Sequence, residues 1–135
     1  MRSSLATVLA TGLVLALAST AAPARAGDGG FDRFCKKWMG KLEKREKDNL
    51  AKMKVRPAAD GVIGEYTGYA RQPVRCKPTS KVVPGKPAVG TLVYHEIRYA
   101  KRGSDRKAAR AAKPRPVETV EVMEIFRYDG TRWTY

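Results

Sequence analysis

The sequence predicts an α+β fold: one N-terminal amphipathic helix packed on a four-stranded, mainly antiparallel, roll-like β-sheet and stapled by a disulfide. Three observations carry that expectation. Apolar residues recur at helical spacing over residues 31–54, β-rich stretches separated by Gly and Pro follow Pro57, and one cysteine falls in each half.

The first residues are read apart from the fold. Arg2 precedes an apolar run from Leu5 to Ala18, and Ala24-Arg25-Ala26 is a small-x-small cleavage site, so residues 1–26 are expected to be a cleaved signal peptide. The run is shorter than the roughly 20 apolar residues that span a bilayer. Gly27, not a cysteine, follows the site, which argues against a lipid anchor at Cys35. Residues 27–135 are then expected to form a single exported domain, periplasmic or secreted, with no transmembrane segment.

The stretch FDRFCKKWMGKLEKREKDNLAKMKV places Phe31, Cys35, Trp38, Met39, Leu42, Leu50 and Met53 in one helical arc, interrupted by Glu46 and Asn49. Asp28 or Asp32 is suited to cap its start, and Pro57 is expected to stop it. After the PAADG turn, residues 62–76 read as one strand. Gly64, Tyr66 and Gly68 share a face there, which predicts a bent strand or one with another element packed closely over it. Residues 77–87 read as a proline-rich loop, whose PGK lacks the other residues of a phosphate-binding loop.

Residues 89–101 read as a second strand, and the basic, alanine-rich 102–116 as a flexible connection or short helix ended by Pro114. Asp129-Gly130 predicts a type I′ hairpin over 117–135, with Phe126 opposite Trp133 and Arg127 opposite Arg132. Phe126, Trp133, Val122 and Val120 would then face the helix. The C-terminal strand, ending at Tyr135, is a candidate sheet edge open to another chain. The order of a helix followed by strands resembles that of roll-like folds, cystatin-like ones included, in element order alone.

Cys35 and Cys76 are the only cysteines. Two thiols and the single histidine, His95, are too few for a structural zinc site, and no C-x-x-C redox spacing exists. In an oxidising compartment the pair predicts a Cys35–Cys76 disulfide, which closes a loop worth about 4 kcal/mol in the chain-entropy model.

The charge is lopsided. Formal net charge is +14, and removing Arg2 and Arg25 with the signal lowers it to +12. Such a balance favours anionic partners. Two basic sectors are candidate anion-binding surfaces: Arg33, Lys37, Lys41, Lys44 and Arg45 on the helix, and Lys101, Arg102, Arg106, Lys107 and Arg110 in the connection. Arg127 and Arg132 form a third, smaller candidate. Nucleic acid is disfavoured, because no groove-entering helix or stacking motif accompanies the charge.

Catalysis is not expected. His95 lies beside Glu96, which points to the opposite strand face, and its own face carries Val93 and Ile97. Glu118 and Glu124 share a face but sit about 20 Å apart on a strand, too far for a paired-carboxylate site. No residues for a metal, a cofactor or a nucleophilic triad stand out. The expectation is a non-catalytic envelope protein that binds or serves structurally, through its sheet or its basic surface. The alternative is a polyanion binder for anionic lipid, lipopolysaccharide or acidic glycan.

Overall fold

The computed structural model describes residues 29–79 and 86–135; the expected signal segment, the candidate cap Asp28 and most of the proline-rich loop lie outside it. Helix α1 (Gly29–Ala51) is followed by strands β1 (Val55–Ala58), β2 (Gly61–Tyr69), β3 (Arg75–Pro78) and β4 (Val89–Gly103). Helix α2 (Arg106–Ala111) and strands β5 (Arg115–Tyr128) and β6 (Trp133–Thr134) complete it. All strand pairs are antiparallel, and the sheet runs β1-β2-β4-β5-β6 with β3 also on β4. The α+β class holds, but six strands replace the expected four.

Each added strand has a local cause. α1 ends at Ala51, well before Pro57, and the freed chain turns back as β1. Pro57 fits there because β1 is an edge strand, where a missing N–H leaves the ladder intact. The expected strand 62–76 is real along most of its length but breaks at Arg71-Gln72-Pro73. Ala70 donates to the His95 carbonyl and Val74 to the Val93 carbonyl, so both pieces lie along β4 while the intervening residues loop out.

The hairpin is the clearest correction. A type I′ turn needs positive φ at both central residues, whereas only Gly130 has it, at 101°. The Asp129 carboxylate instead accepts from the backbone N–H groups of Thr131 and Arg132 at 2.8 Å each and from the Thr131 hydroxyl. That local set of bonds widens the turn, so Tyr128 opposes Trp133 and Arg127 opposes Thr134. The slip preserves side-chain parity: Phe126 and Trp133 still share a face and are buried. It also removes the expected Arg127–Arg132 pair.

The main core is formed by α1 on one sheet face. Phe31, Cys35, Met39 and Leu42 pack with Tyr69, Leu92, Tyr94, Phe126 and Trp133. Phe34 and Trp38 extend it as an aromatic cluster with Phe126 and Tyr135. Cys35 bonds Cys76 as expected, tying α1 to β3 with Cα atoms 6.3 Å apart.

Of the two expectations for the β2 glycines, close packing by another element is present. A Cβ on Gly64 would lie 2.7 Å from the Met53 side chain, and one on Gly68 would lie 2.7 Å from the Tyr99 ring. Val120, expected in the core, is instead 51% exposed, because the helix covers β5 only toward its Tyr128 end.

Candidate binding surfaces

Hydrogen-bond direction decides which strand edges remain available. Ala70 N–H points at β4, so the alternating pattern turns the N–H and C=O groups of Thr67 and Tyr69 away from it, toward the outer edge of β2. β1 covers that edge only as far as Gly64. Beyond it, α1 takes over. Asn49 donates its side-chain N–H to the Thr67 carbonyl at 2.9 Å, and Glu46 accepts from the Tyr69 N–H at 3.0 Å. Arg71 holds the same carboxylate with two bonds. The residues that interrupt the apolar arc of α1 are therefore the ones that guard the β2 edge.

The opposite edge is different. Tyr128 N–H points at Ala88, so even-numbered residues of β5 bond toward β4 and odd-numbered ones point outward. β6 pairs only with Arg127 and Tyr128. Among the described residues, nothing pairs with the outward groups of Thr119, Glu121, Met123 and Ile125. The side chains along this stretch are unusually apolar for an edge: Val117, Val120, Met123 and Ile125 are each at least half exposed. The short C-terminal strand β6 ends the sheet order as an edge, as expected, and among the described residues the longer open stretch lies beside it on β5.

The glutamates of β5 are engaged by their own sheet. Arg98 bridges Glu118 at 3.0 Å and Glu65 at 2.8 Å, and Arg56 completes a charge ladder across β1, β2, β4 and β5. The Arg56 hydrogen bond is the main cause holding the Glu65 carboxyl below its usual range, with the Arg98 charge adding to it. Glu124 accepts from the Tyr94 and Tyr135 hydroxyls at 2.6 and 2.5 Å. Burial, then the bond to Glu124, pushes both phenols well above their usual range.

Glu121 is the cross-strand neighbour of His95, with 3.9 Å between Nε2 and Oε2, and both side chains are open to solvent. His95 therefore meets an acid from β5 rather than its sequence neighbour Glu96.

The basic candidates separate into several places. Arg33, Lys37, Lys41, Lys44 and Arg45 line the exposed side of α1, with Lys41 over the Trp38 ring. Lys101 leaves the set, because it is 8% exposed and its ammonium donates to the Arg110 carbonyl at the end of α2. Arg110 in turn donates to the Met53 carbonyl. Arg106 and Lys107 are exposed on α2, which Asp105 caps through the Ala108 N–H.

Arg102 lies 3.8 Å from Asp60 and joins Lys113 and Arg115 around a cavity of about 440 Å³ floored by Ala100, Ala112 and Val117. Arg127 and Arg132 are exposed, and Arg132 lies 3.8 Å from Asp129.

A second cavity of about 480 Å³ lies between α1 and the Ala70–Pro73 segment, beside the disulfide, with Lys36, Glu43 and Arg71 among its walls. No group of three or more His, Cys, Asp or Glu side chains fit to hold a metal occurs among the described residues. No helix among them is long and apolar enough to cross a membrane. No family model, curated protein or solved structure matches this chain.

Proposed function

We propose that the protein is a non-catalytic, exported component of the cell envelope that works by binding, and that the Thr119–Ile125 edge of β5 is its recognition surface. The observation behind this reading is the contrast between the two sheet edges, one shielded by Glu46 and Asn49 and the other unpaired among the described residues and flanked by exposed Val, Met and Ile side chains. A bare apolar edge accepts an additional strand, whose main-chain bonds supply affinity and whose side chains meet the flanking residues. The Cys35–Cys76 bond fits an oxidising compartment, periplasmic or extracellular.

The test is photo-crosslinking in intact cells, with a benzophenone side chain placed at Ile125 or, as a control, at Lys44 on the exposed side of α1. Discrete adducts at Ile125 but not at Lys44, retained in high salt, are the expected result. Equal labelling at both positions, or none at Ile125, contradicts the reading.

A second reading, polyanion binding, draws on the cavity whose charged lining, Arg102, Lys113 and Arg115, includes no acid. An anionic lipid or glycan held there would be released steeply as salt rises, because exposed charge pairs are screened beyond about 10 Å at 0.1 M salt. Retention of anionic vesicles that falls away between low and high salt, and that Arg115→Gln abolishes, would move this reading ahead of the first.

A further inference from the structure

We propose that the cavity beside the disulfide binds a small zwitterion with an apolar side chain, a free α-amino acid or a short peptide, seated against the backbone of α1 at Gly40. The site lies between α1 and the Ala70–Pro73 segment and makes no use of the β5 edge.

Gly40 is the first observation. Glycine is the poorest helix former after proline, yet Gly40 stands in the middle of α1. Elsewhere the fold explains its glycines: a Cβ on Gly90 would strike the Phe31 ring, and one on Gly103 the backbone of α2. A Cβ on Gly40 would meet nothing within 4 Å. No packing inside the chain therefore requires a glycine there, and Gly40 forms part of the cavity wall. Its bare backbone leaves room for a ligand to lie close to the helix.

The cavity is also built in advance. Ala70 and Val74 are tied to β4 through their N–H groups, which pins both ends of the facing segment. Arg71 is fixed to Glu46 by two bonds, and the Cys35–Cys76 bond joins α1 to β3 alongside. Met39, Ala70, Pro73 and the disulfide supply apolar lining. At about 480 Å³ the volume falls in the range of small-molecule sites.

Charge sets the class of ligand. Four charged side chains line the cavity, and two of them are already engaged, Glu43 by Lys47 at 3.1 Å and Arg71 by Glu46 at 2.8 Å. Asp32 and Lys36 remain, and neither is in an ion pair among the described residues. Residues four apart on a helix have Cβ atoms about 5–6 Å apart. One α-amino acid can therefore offer its ammonium to Asp32 and its carboxylate to Lys36, with its side chain on Met39 and the disulfide. A simple anion would answer Lys36 and face Asp32 and Glu43 unfavourably, and a simple cation would face Lys36.

The test uses the protein with its native disulfide and follows backbone amides by NMR while L-leucine is added to millimolar concentration. The Gly40 and Gln72 amides should shift saturably. Isocaproate, which lacks the ammonium, and leucinamide, which lacks the carboxylate, should each bind about threefold or more weakly, the worth of one exposed charge pair. Leucyl-leucine is the peptide arm: binding tighter than leucine assigns the site to short peptides, and weaker binding assigns it to free amino acids.

Gly40→Ala separates a binding role from a structural one. It should raise the melting temperature by about 2–8 °C, as a better helix former, while weakening leucine about tenfold or more by filling the ligand's space. Lys36→Gln should erase the preference for leucine over leucinamide. No saturable shift with either leucine or leucyl-leucine overturns the proposal, as does equal binding of leucine, isocaproate and leucinamide. So does a Gly40→Ala variant that binds like the parent, or one that melts lower and so gives Gly40 a role in the fold.

Discussion

The two long edges of the sheet are built from similar strands and treated in opposite ways. β2 carries Val62, Ile63, Tyr66 and Tyr69, and its outer groups are met first by β1 and then by Asn49 and Glu46 of α1. β5 carries Val117, Val120, Met123 and Ile125, and its outer groups between Thr119 and Ile125 meet no other part of the described chain. Proteins commonly blunt exposed edges because unpaired strands recruit others. A chain that uses two helical positions in its apolar arc to close one edge, and leaves the other open among the described residues, commits one edge to the fold and, in the proposed function, keeps the other for recognition.

The largest expected effect is on the element that holds the guard in place. Replacing both cysteines, Cys35→Ala with Cys76→Ala, removes the tie between α1 and β3 and should cost about 4 kcal/mol by loop entropy. Urea titration of the double-alanine variant against the disulfide-bonded parent measures it. A loss below about 1 kcal/mol would mean that packing alone seats the helix on its edge.

Glu46→Ala is next. It strips the acceptor from the Tyr69 N–H and leaves Arg71 without its partner, where the carboxylate is only 13% exposed. Hydrogen bonds to a charged group contribute about 2 kcal/mol, which for a domain of this size lowers the melting temperature by roughly 8–16 °C. Asn49→Ala removes one neutral bond and should cost about 1 kcal/mol. If both variants melt with the parent, the β2 edge needs no guard and the contrast between the edges collapses.

On the open side the same logic predicts almost nothing for the isolated fold. Ile125→Lys places a charge on an exposed position and should shift stability by no more than about 0.5 kcal/mol. A loss as large as that of Glu46→Ala would show that the β5 edge is covered after all.

The smallest effect concerns the turn that sets the register of β6 on β5. The backbone N–H of Arg132 first, then the Thr131 groups, hold the Asp129 carboxyl down at about 2, against an ordinary 3.8. A lowered value means the turn is favoured above pH 3.8 and that this advantage fades as pH falls toward 2. The amide shifts of Thr131 and Arg132 should therefore titrate with a midpoint near 2; a midpoint at the ordinary carboxylate value would mean the bonds to Asp129 do not persist.

Much of this architecture is legible from residue spacing. The apolar arc gives α1, the even pair of cysteines gives the disulfide once an oxidising compartment is expected, and Gly64 and Gly68 about Tyr66 point to the close packing of Met53 and Tyr99. What local pattern does not give is which side of a strand is free. β1 escapes notice because Pro57 reads as a helix stop, although the same proline suits an edge strand. Pro73 is the one local sign of the break between β2 and β3.

Asp129-Gly130 reads as a two-residue turn until the Asp129 side chain is seen holding the next two amides. Lys101 reads as one more surface cation because its burial depends on α2 folding back over β4. Glu46 and Asn49 look like flaws in an apolar face, and their use appears only once β2 lies beside the helix. The openness of β5 is likewise a property of sheet order, although apolar residues on both of its faces are its trace in the sequence.

Amide hydrogen exchange, resolved by residue, tests the central contrast most directly. The Tyr69 amide, bonded to Glu46, should be protected, and the outward amides of Thr119, Glu121, Met123 and Ile125 should exchange freely. Contradiction would take the form of a freely exchanging Tyr69 amide, or of β5 amides protected to the same degree.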